Sequence, residues 1–209
     1  MIISHTNKFI FFKATKVAGT STELFFEKFC DKKTDIIGLK GKQLRRFSSR
    51  IEAMQTLNNK FWNHMPPLLI KQQIAQHDWE TYLKFGNIRN PWDRMVSCYF
   101  YKRDNLEQIP YDMPFEVYVK NTQNAHPISL CEYYGIDNLQ EEYKYIRYEN
   151  LQEDILHICD MLNLKPYHNL RHANKTNRNP DYKVYYNKET RKIVEQKYQK
   201  DIEIFNYSY

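Results

Sequence analysis

The sequence predicts an α/β fold, a three-layer sandwich of helices around a central parallel sheet, in one domain spanning residues 1–209. Short apolar runs typical of buried strands alternate with segments of helical periodicity. This alternation favours parallel pairing, because each helix returns the chain to the same end of the sheet. A length of 209 residues, 42% of them hydrophobic, suffices for one domain with a sizeable core.

The chain opens with a predicted strand, a loop and a helix. Residues 9–12 form a continuous apolar run, and we expect residues 1–12 to be a first strand rather than a signal peptide. Residues 13–19 are polar and end in glycine, which indicates a loop. A helix is predicted over 20–29, where Thr20 and Glu23 have the spacing of a capping box.

A second strand and helix are predicted after a poorly patterned segment. Residues 31–60 predict loops with at most one short helix. Pro66 is expected to start a helix that reaches Ile74, and residues 79–83 a further helical turn. Residues 84–89 predict the second core strand. Asn90 at the cap and Pro91 at the first helical position then mark a strong helix start.

The last part of the chain repeats the alternation. Residues 143–148 predict a third strand. The helix after it has an apolar stripe from Leu151 to Leu162, and Asn163 is expected to close it. The final helix is predicted over 188–200.

Charge and cysteine content narrow the function. The net charge of +6 suits an anionic partner, but lysine and arginine are interleaved with acids along the chain, which argues against nucleic-acid binding.

No apolar run approaches the ~20 residues of a membrane span, so we expect no stable membrane insertion and a cytoplasmic location. The four cysteines lack metal-ligand spacing, and no metal site is predicted. Oligomeric state is left open.

The loop before the first helix is a candidate anion site. A helix N-terminus offers unpaired amides, Gly19 allows close backbone approach, and Thr20 and Ser21 add hydroxyl donors to the charge of Lys16. The order differs from a Walker A loop, in which a Gly-Lys-Ser/Thr sequence follows another glycine. An ordinary capped turn with surface lysines is the alternative.

A second candidate anion site begins at Arg89. This residue ends the predicted strand, and Ser97 lies about two helical turns further on. Both would lie at the strand ends where ligands bind in doubly wound sheets, so together the two sites suit a 3′,5′-bisphosphate nucleotide. The alternative for Arg89 is an ion pair with Asp93 or Asp78. Arg94 is a further candidate for this site, although a role as a helix-surface partner of an acid is favoured for it.

These two segments resemble a known family. Residues 16–21, Lys-Val-Ala-Gly-Thr-Ser, resemble the 5′-phosphosulfate loop of sulfotransferases that use 3′-phosphoadenosine-5′-phosphosulfate (PAPS), with Val17 in place of the usual threonine. Residues 89–97, Arg-Asn-Pro-Trp-Asp-Arg-Met-Val-Ser, resemble their 3′-phosphate motif. Residues 63–66, 147–151 and 204–207 are similar to the carbohydrate branch that includes heparan sulfate 2-O-sulfotransferases and small bacterial members. The likeness covers about residues 8–30, 61–103 and 143–209.

The resemblance implies a P-loop-NTPase-like sulfotransferase fold and sulfonate transfer from PAPS to an acceptor hydroxyl, expected on a glycan. Lys16 would stabilise the leaving oxygen and His64 would be the general base, with His77 and Glu23 as rivals. His64 has an alternative as a cap for the helix at Pro66. The implied donor contacts are Lys13, Lys16, Ala18, Gly19, Thr20, Ser21, Arg89, Ser97, Lys175, Thr176 and Arg178.

Two other functional classes predict different features of the sequence. A nucleotide or sugar kinase would need ATP, magnesium and a Gly-Lys-Ser/Thr loop. A non-catalytic binder of glycan or nucleic acid would need its basic residues on one face. Within the family, the acceptor alternatives are protein tyrosine, a lipid or a small phenol. The aromatic residues of segment 104–142 would either shape an acceptor cleft or pack as a lid; they are Tyr111, Phe115, Tyr118, Tyr133 and Tyr134.

Overall fold

The computed structural model describes residues 1–40, 43, 46–121, 126–137, 142–166, 170 and 178–209. These described residues divide into two compact units. The first lies within residues 1–87 and 140–173, and the second within residues 88–139 and 174–209.

A mixed five-stranded sheet confirms the α/β class. Its strands are β1 (Ile2–Ser4), β2 (Phe9–Phe12), β3 (Ile36–Ile37), β4 (Leu83–Ile88) and β5 (Tyr143–Arg147), in the order β3-β1-β2-β4-β5. β2 and β4 pair in parallel, with Phe12 opposite Gly86. β1 is antiparallel to both β2 and β3. Its connection to β2 is too short for the crossover that a parallel pair would need. The single first strand expected over residues 1–12 is therefore a hairpin.

The helices lie largely where the sequence predicts them. In chain order they are α1 (Gly19–Phe26), α2 (Arg50–Thr56), α3 (Pro67–Lys71), α4 (Gln76–Thr81), α5 (Pro91–Asp104), α6 (Phe115–Asn121), α7 (Leu130–Tyr134), α8 (Leu151–Met161), α9 (Lys188–Lys197) and α10 (Gln199–Ile204). Short 3₁₀ turns cover Glu27–Phe29, Tyr148–Asn150 and Tyr182–Tyr185.

Local signals explain which helix boundaries are right. The Asn90 side chain accepts a hydrogen bond from the Trp92 amide and caps α5, as predicted. The capping box of Thr20 and Glu23 is wrong, because α1 starts after Ala18, which is left-handed and makes no side-chain cap. α3 ends at Lys71, before Ile74, and the final helix is split into α9 and α10.

The core of the first unit is aromatic around β2. The ring of Phe85 lies 4.9–5.5 Å from those of Phe9, Phe11 and Phe26. The apolar stripe of α8 packs into the same cluster through Ile155 and neighbouring residues. All four residues of β2 and most residues of α1 are buried. These two elements flank the candidate anion loop.

The second unit packs α5 against α6 and α9. Its core includes Met95 and Tyr99 of α5 and Val194 of α9. Four of the aromatic residues considered for an acceptor cleft are buried, namely Phe115, Tyr118, Tyr133 and Tyr134, whereas Tyr111 is 78% exposed. The packing interpretation therefore describes these four.

Candidate active site

The candidate anion loop, residues 13–18, connects β2 to α1 and has an unusual backbone. Lys16 and Ala18 both have left-handed φ angles, 61° and 62°. The amides of Ser21 and Thr22 bond to the Ala18 carbonyl at 2.9 and 3.3 Å. Within the described part of the chain, the amides of Gly19 and Thr20 make no hydrogen bond, so the start of α1 presents two donors.

Lys13, the first residue of this loop, is buried in an ion pair. Its ammonium lies 2.7 Å from Oε2 of Glu23, whose Oε1 lies 2.7 Å from the Met1 ammonium. Burial opposes the charge of Glu23, but the Met1 and Lys13 ammoniums outweigh it and lower the pKa of the carboxyl. Burial lowers the pKa of Lys13, and Glu23 offsets part of this effect. The structure thus places the Lys13 ammonium on Glu23.

His64 is hydrogen bonded to the same loop. Its Nδ1 lies 2.8 Å from the backbone carbonyl oxygen of Lys13. A carbonyl only accepts, so Nδ1 carries the proton and the neutral ring keeps a lone pair on Nε2. Nε2 makes no hydrogen bond to any residue that the structure describes. The residue as a whole is exposed and has a left-handed φ of 64°.

The surroundings keep the His64 imidazole neutral. Desolvation is the largest effect, and together with the Lys13 and Met1 ammoniums it lowers the pKa of His64 to about 4. The Lys13 carbonyl and the Glu23 carboxylate act in the opposite direction. The alternative role as a helix cap is wrong, because Pro66 is the N-cap of α3 and no side chain caps it.

The first unit contains three further candidate residues, one in the loop and two that were considered as alternative bases. Lys16 is half-buried within the anion loop, where its backbone turns. His77 is exposed on α4, and its carbonyl accepts a hydrogen bond from Thr81. Glu23, considered as a rival base, is only 1% exposed and engaged with Lys13.

The second candidate anion site contains two arginines that share one carboxylate. Arg89 approaches Oδ2 of Asp93 with Nε at 2.9 Å and Nη2 at 2.8 Å. Arg178 Nη2 lies 2.5 Å from Oδ1 of the same residue. The ion pair of Arg89 with Asp93, given as an alternative by the sequence, is therefore present. Nη1 of Arg178 is buried and has no hydrogen-bond partner among the described residues.

The other residues of this motif lie on α5. Ser97 is buried, as is Arg94. The expectation that Arg94 is a surface partner of an acid is wrong, since its Nη1 donates to the carbonyl of Ile128 at 2.8 Å. Burial lowers the pKa of its guanidinium. Lys175 and Thr176 lie outside the described residues.

The family follows from a comparison of the whole chain with known proteins. A sequence model described as the sulfotransferase family matches residues 1–208. The chain belongs to the sulfotransferase family. This assignment favours a sulfotransferase over the kinase and the non-catalytic binder.

Two individual proteins resemble this sulfotransferase. An uncharacterized protein of Archaeoglobus fulgidus is 31% identical over 106 residues, which are 48% of this chain and 83% of that protein. The crystal structure of a sulfotransferase from Alicyclobacillus acidocaldarius aligns with a TM-score of 0.39 and 12% identity, over 95% of this chain and 87% of that one.

The described residues of this sulfotransferase contain neither a metal-ligand cluster nor a membrane-spanning helix. No group of three or more His, Cys, Asp or Glu residues among them is arranged to hold a metal ion. None of the helices in the described ranges is long and apolar enough to cross a bilayer.

Proposed function

We propose that this sulfotransferase moves a sulfonate group from PAPS to a hydroxyl of a carbohydrate acceptor, with His64 as general base. One observation carries the proposal. The 2.8 Å hydrogen bond from His64 to the Lys13 carbonyl joins a neutral imidazole to the first residue of an anion loop. Group transfer to a hydroxyl needs a proton acceptor close to the anionic donor.

The anion loop suits the 5′-phosphosulfate end of the donor. The two unpaired amides at Gly19 and Thr20 would donate to its oxygens, together with the hydroxyls of Thr20 and Ser21. Lys16 would stabilise the negative charge that develops on the bridging oxygen as the nucleotide leaves. When bound, PAPS supplies the sulfonate, which becomes a sulfate ester as 3′-phosphoadenosine-5′-phosphate departs.

The second anion site suits the 3′-phosphate. Arg89 and Arg178 bring two positive charges to the one carboxylate of Asp93. The buried Nη1 of Arg178 is a donor without a partner in the described residues, and a phosphate oxygen would satisfy it. Ser97 would donate beside them, and Lys175 and Thr176 are proposed as further donor contacts.

His64 would take the acceptor proton at Nε2. The hydrogen bond at Nδ1 selects the tautomer in which Nε2 carries the lone pair, and the low pKa keeps the ring neutral at physiological pH. The imidazolium that forms keeps its Nδ1 hydrogen bond to the Lys13 carbonyl. The proton then leaves to solvent, since more of His64 is accessible than of its neighbours Asn63 and Met65.

Donor binding is the first test of this function. Calorimetry should show micromolar binding of 3′-phosphoadenosine-5′-phosphate and much weaker binding of ATP with magnesium. Arg89→Ala should weaken the bisphosphate by about 10–150-fold, the value of a hydrogen bond to a charged group. Arg103→Ala is the matched control, because Arg103 pairs with Asp104 elsewhere on α5. No bisphosphate binding by the folded protein would refute the proposed donor.

The acceptor and the base are tested next. Glycan, phenol, tyrosine-peptide and lipid hydroxyls are offered with labelled PAPS, and transfer to the glycans is the expected result. His64→Ala should abolish transfer yet leave bisphosphate affinity nearly unchanged. Equal loss of binding and transfer would instead make His64 structural.

A further inference from the structure

The Lys13–Glu23 ion pair has no part in the chemistry proposed above, although it is deeply buried. The Lys13 side chain is 4% exposed and that of Glu23 is 2% exposed. Desolvating two charges is costly, and a buried pair often stabilises a fold no better than apolar residues of similar size. A role beyond stability is therefore worth seeking.

The pair is linked to His64 through one residue. Lys13 holds Glu23 with its side chain at 2.7 Å and His64 with its backbone carbonyl at 2.8 Å. Glu23 belongs to α1, and Lys13 directly follows β2, so the ion pair ties the end of the strand to the helix. The methylenes of Lys13 also pass against Gly19. These contacts leave the Lys13 carbonyl little freedom to turn away from the imidazole.

We propose that Lys13 and Glu23 are positioning residues for His64, and that their buried ion pair fixes the carbonyl that selects the Nδ1-protonated tautomer. This inference rests on the proposed function only for the statement that His64 is the base. The geometric part concerns the ring and the pair alone, and it can be tested in the absence of donor and acceptor.

The charges around His64 make the inference specific. The groups that act on the imidazole are the ammoniums of Lys13 and Met1, which disfavour its protonation, and the carboxylate of Glu23, which favours it. Replacing Lys13 by methionine should raise the pKa of His64. Replacing Glu23 by glutamine should lower it. These opposite shifts follow from charge alone, so the readout that reports positioning is the tautomer of the ring.

The test is nitrogen NMR of the full-length protein labelled with ¹⁵N-histidine, with His64→Gln used to assign the signals. In the native protein the His64 signals should show one tautomer, protonated at Nδ1, and titrate near pH 4. Lys13→Met and Glu23→Gln should each allow the Nε2-protonated tautomer to appear beside the Nδ1-protonated one. A single Nδ1-protonated tautomer in both folded variants would overturn the inference.

A double variant keeps the inference testable if the single variants fail to fold. Lys13→Met with Glu23→Gln removes both charges and leaves an amide oxygen that can accept from the Met1 ammonium, so no charged residue of the pair is stranded. In this variant both His64 tautomers should be populated. A folded double variant with the native tautomer and titration would refute positioning. Bisphosphate binding, measured separately, reports on the proposed function.

Discussion

A β-carbon at Gly19 would lie 2.8 Å from Cγ of Lys13, closer than real β-carbon contacts allow. The Lys13 side chain cannot yield easily, because it is buried and its ammonium is held by Glu23. Gly19→Ala should therefore displace Lys13 and destabilise the protein by about 1–3 kcal/mol, the usual cost of overpacking. Urea unfolding measures the loss, and calorimetry should show weaker bisphosphate binding.

Gly135→Ala is the control for this substitution. Gly135 has a φ of 67° and open space around its α-carbon, so alanine there costs backbone strain of about 1–2 kcal/mol without a clash. It should leave bisphosphate affinity unchanged. If Gly19→Ala bound the bisphosphate as tightly as Gly135→Ala does, the contact with Lys13 would be irrelevant to the loop.

The titration of His64 should appear in the pH dependence of stability. Its pKa is about 4 in the folded protein, against an ordinary value of 6.5. Between these values the unfolded chain binds a proton that the folded protein does not, so stability should rise with pH across this window and be lost on acidification. The Met1 ammonium, whose pKa burial lowers to about 6, contributes only above about pH 6.

His64→Gln should flatten this rise in the urea midpoint between pH 4 and 6. His77→Gln, at an exposed position on α4, should leave it unchanged. The rate of sulfonate transfer should likewise fall only as the pH approaches about 4. A rate that halves near pH 6.5 would contradict the neutral, desolvated imidazole.

The elements that sequence predicts well are those with strong local signals. The apolar run of β2, the Asn90 and Pro91 start of α5 and the stripe of α8 are all visible within a few residues. β1 and β3 have three and two residues, too few for any periodicity, and their antiparallel pairing depends on distant contacts. This is why a parallel sheet was expected and a mixed one is found.

In the candidate site, too, the sequence predicts features of contiguous residues better than contacts between residues far apart in the chain. The loop at Lys16 and the cap of α5 were found because their residues are contiguous. The sequence does not reveal the role of Glu23, because its spacing from Thr20 imitates a capping box, while its partner Lys13 lies ten residues away in the sequence. Arg94 was misplaced because its acceptor, the carbonyl of Ile128, lies 34 residues away.

Asp93 should couple stability to donor binding. It is the carboxylate shared by Arg89 and Arg178, whose side chains are only 5% and 9% exposed. Asp93→Ala removes this shared charge and should cost about 3–5 kcal/mol. Because a bound phosphate would replace the missing charge, 3′-phosphoadenosine-5′-phosphate should raise the melting temperature of the variant more than that of the native protein.

The control for Asp93 is Asp104→Ala. Asp104 is paired with Arg103 at the more exposed end of α5, and its loss should cost less than about 1 kcal/mol. The bisphosphate should then stabilise this variant as much as it does the native protein. A smaller thermal shift in Asp93→Ala than in Asp104→Ala would argue against a phosphate at the paired arginines.

Asp201 is expected to be the main anchor of α7 in the second unit. Its carboxylate, 1% exposed, accepts hydrogen bonds from the Ser129 hydroxyl and from the amides of Leu130 and Cys131 at the start of α7. Asp201→Ala would leave two amides unpaired in a buried site and should cost about 2–5 kcal/mol. Urea unfolding checks this value, with Glu203→Ala on the exposed face of α10 as control. Equal, small losses in both variants would show that water replaces the carboxylate at the helix start.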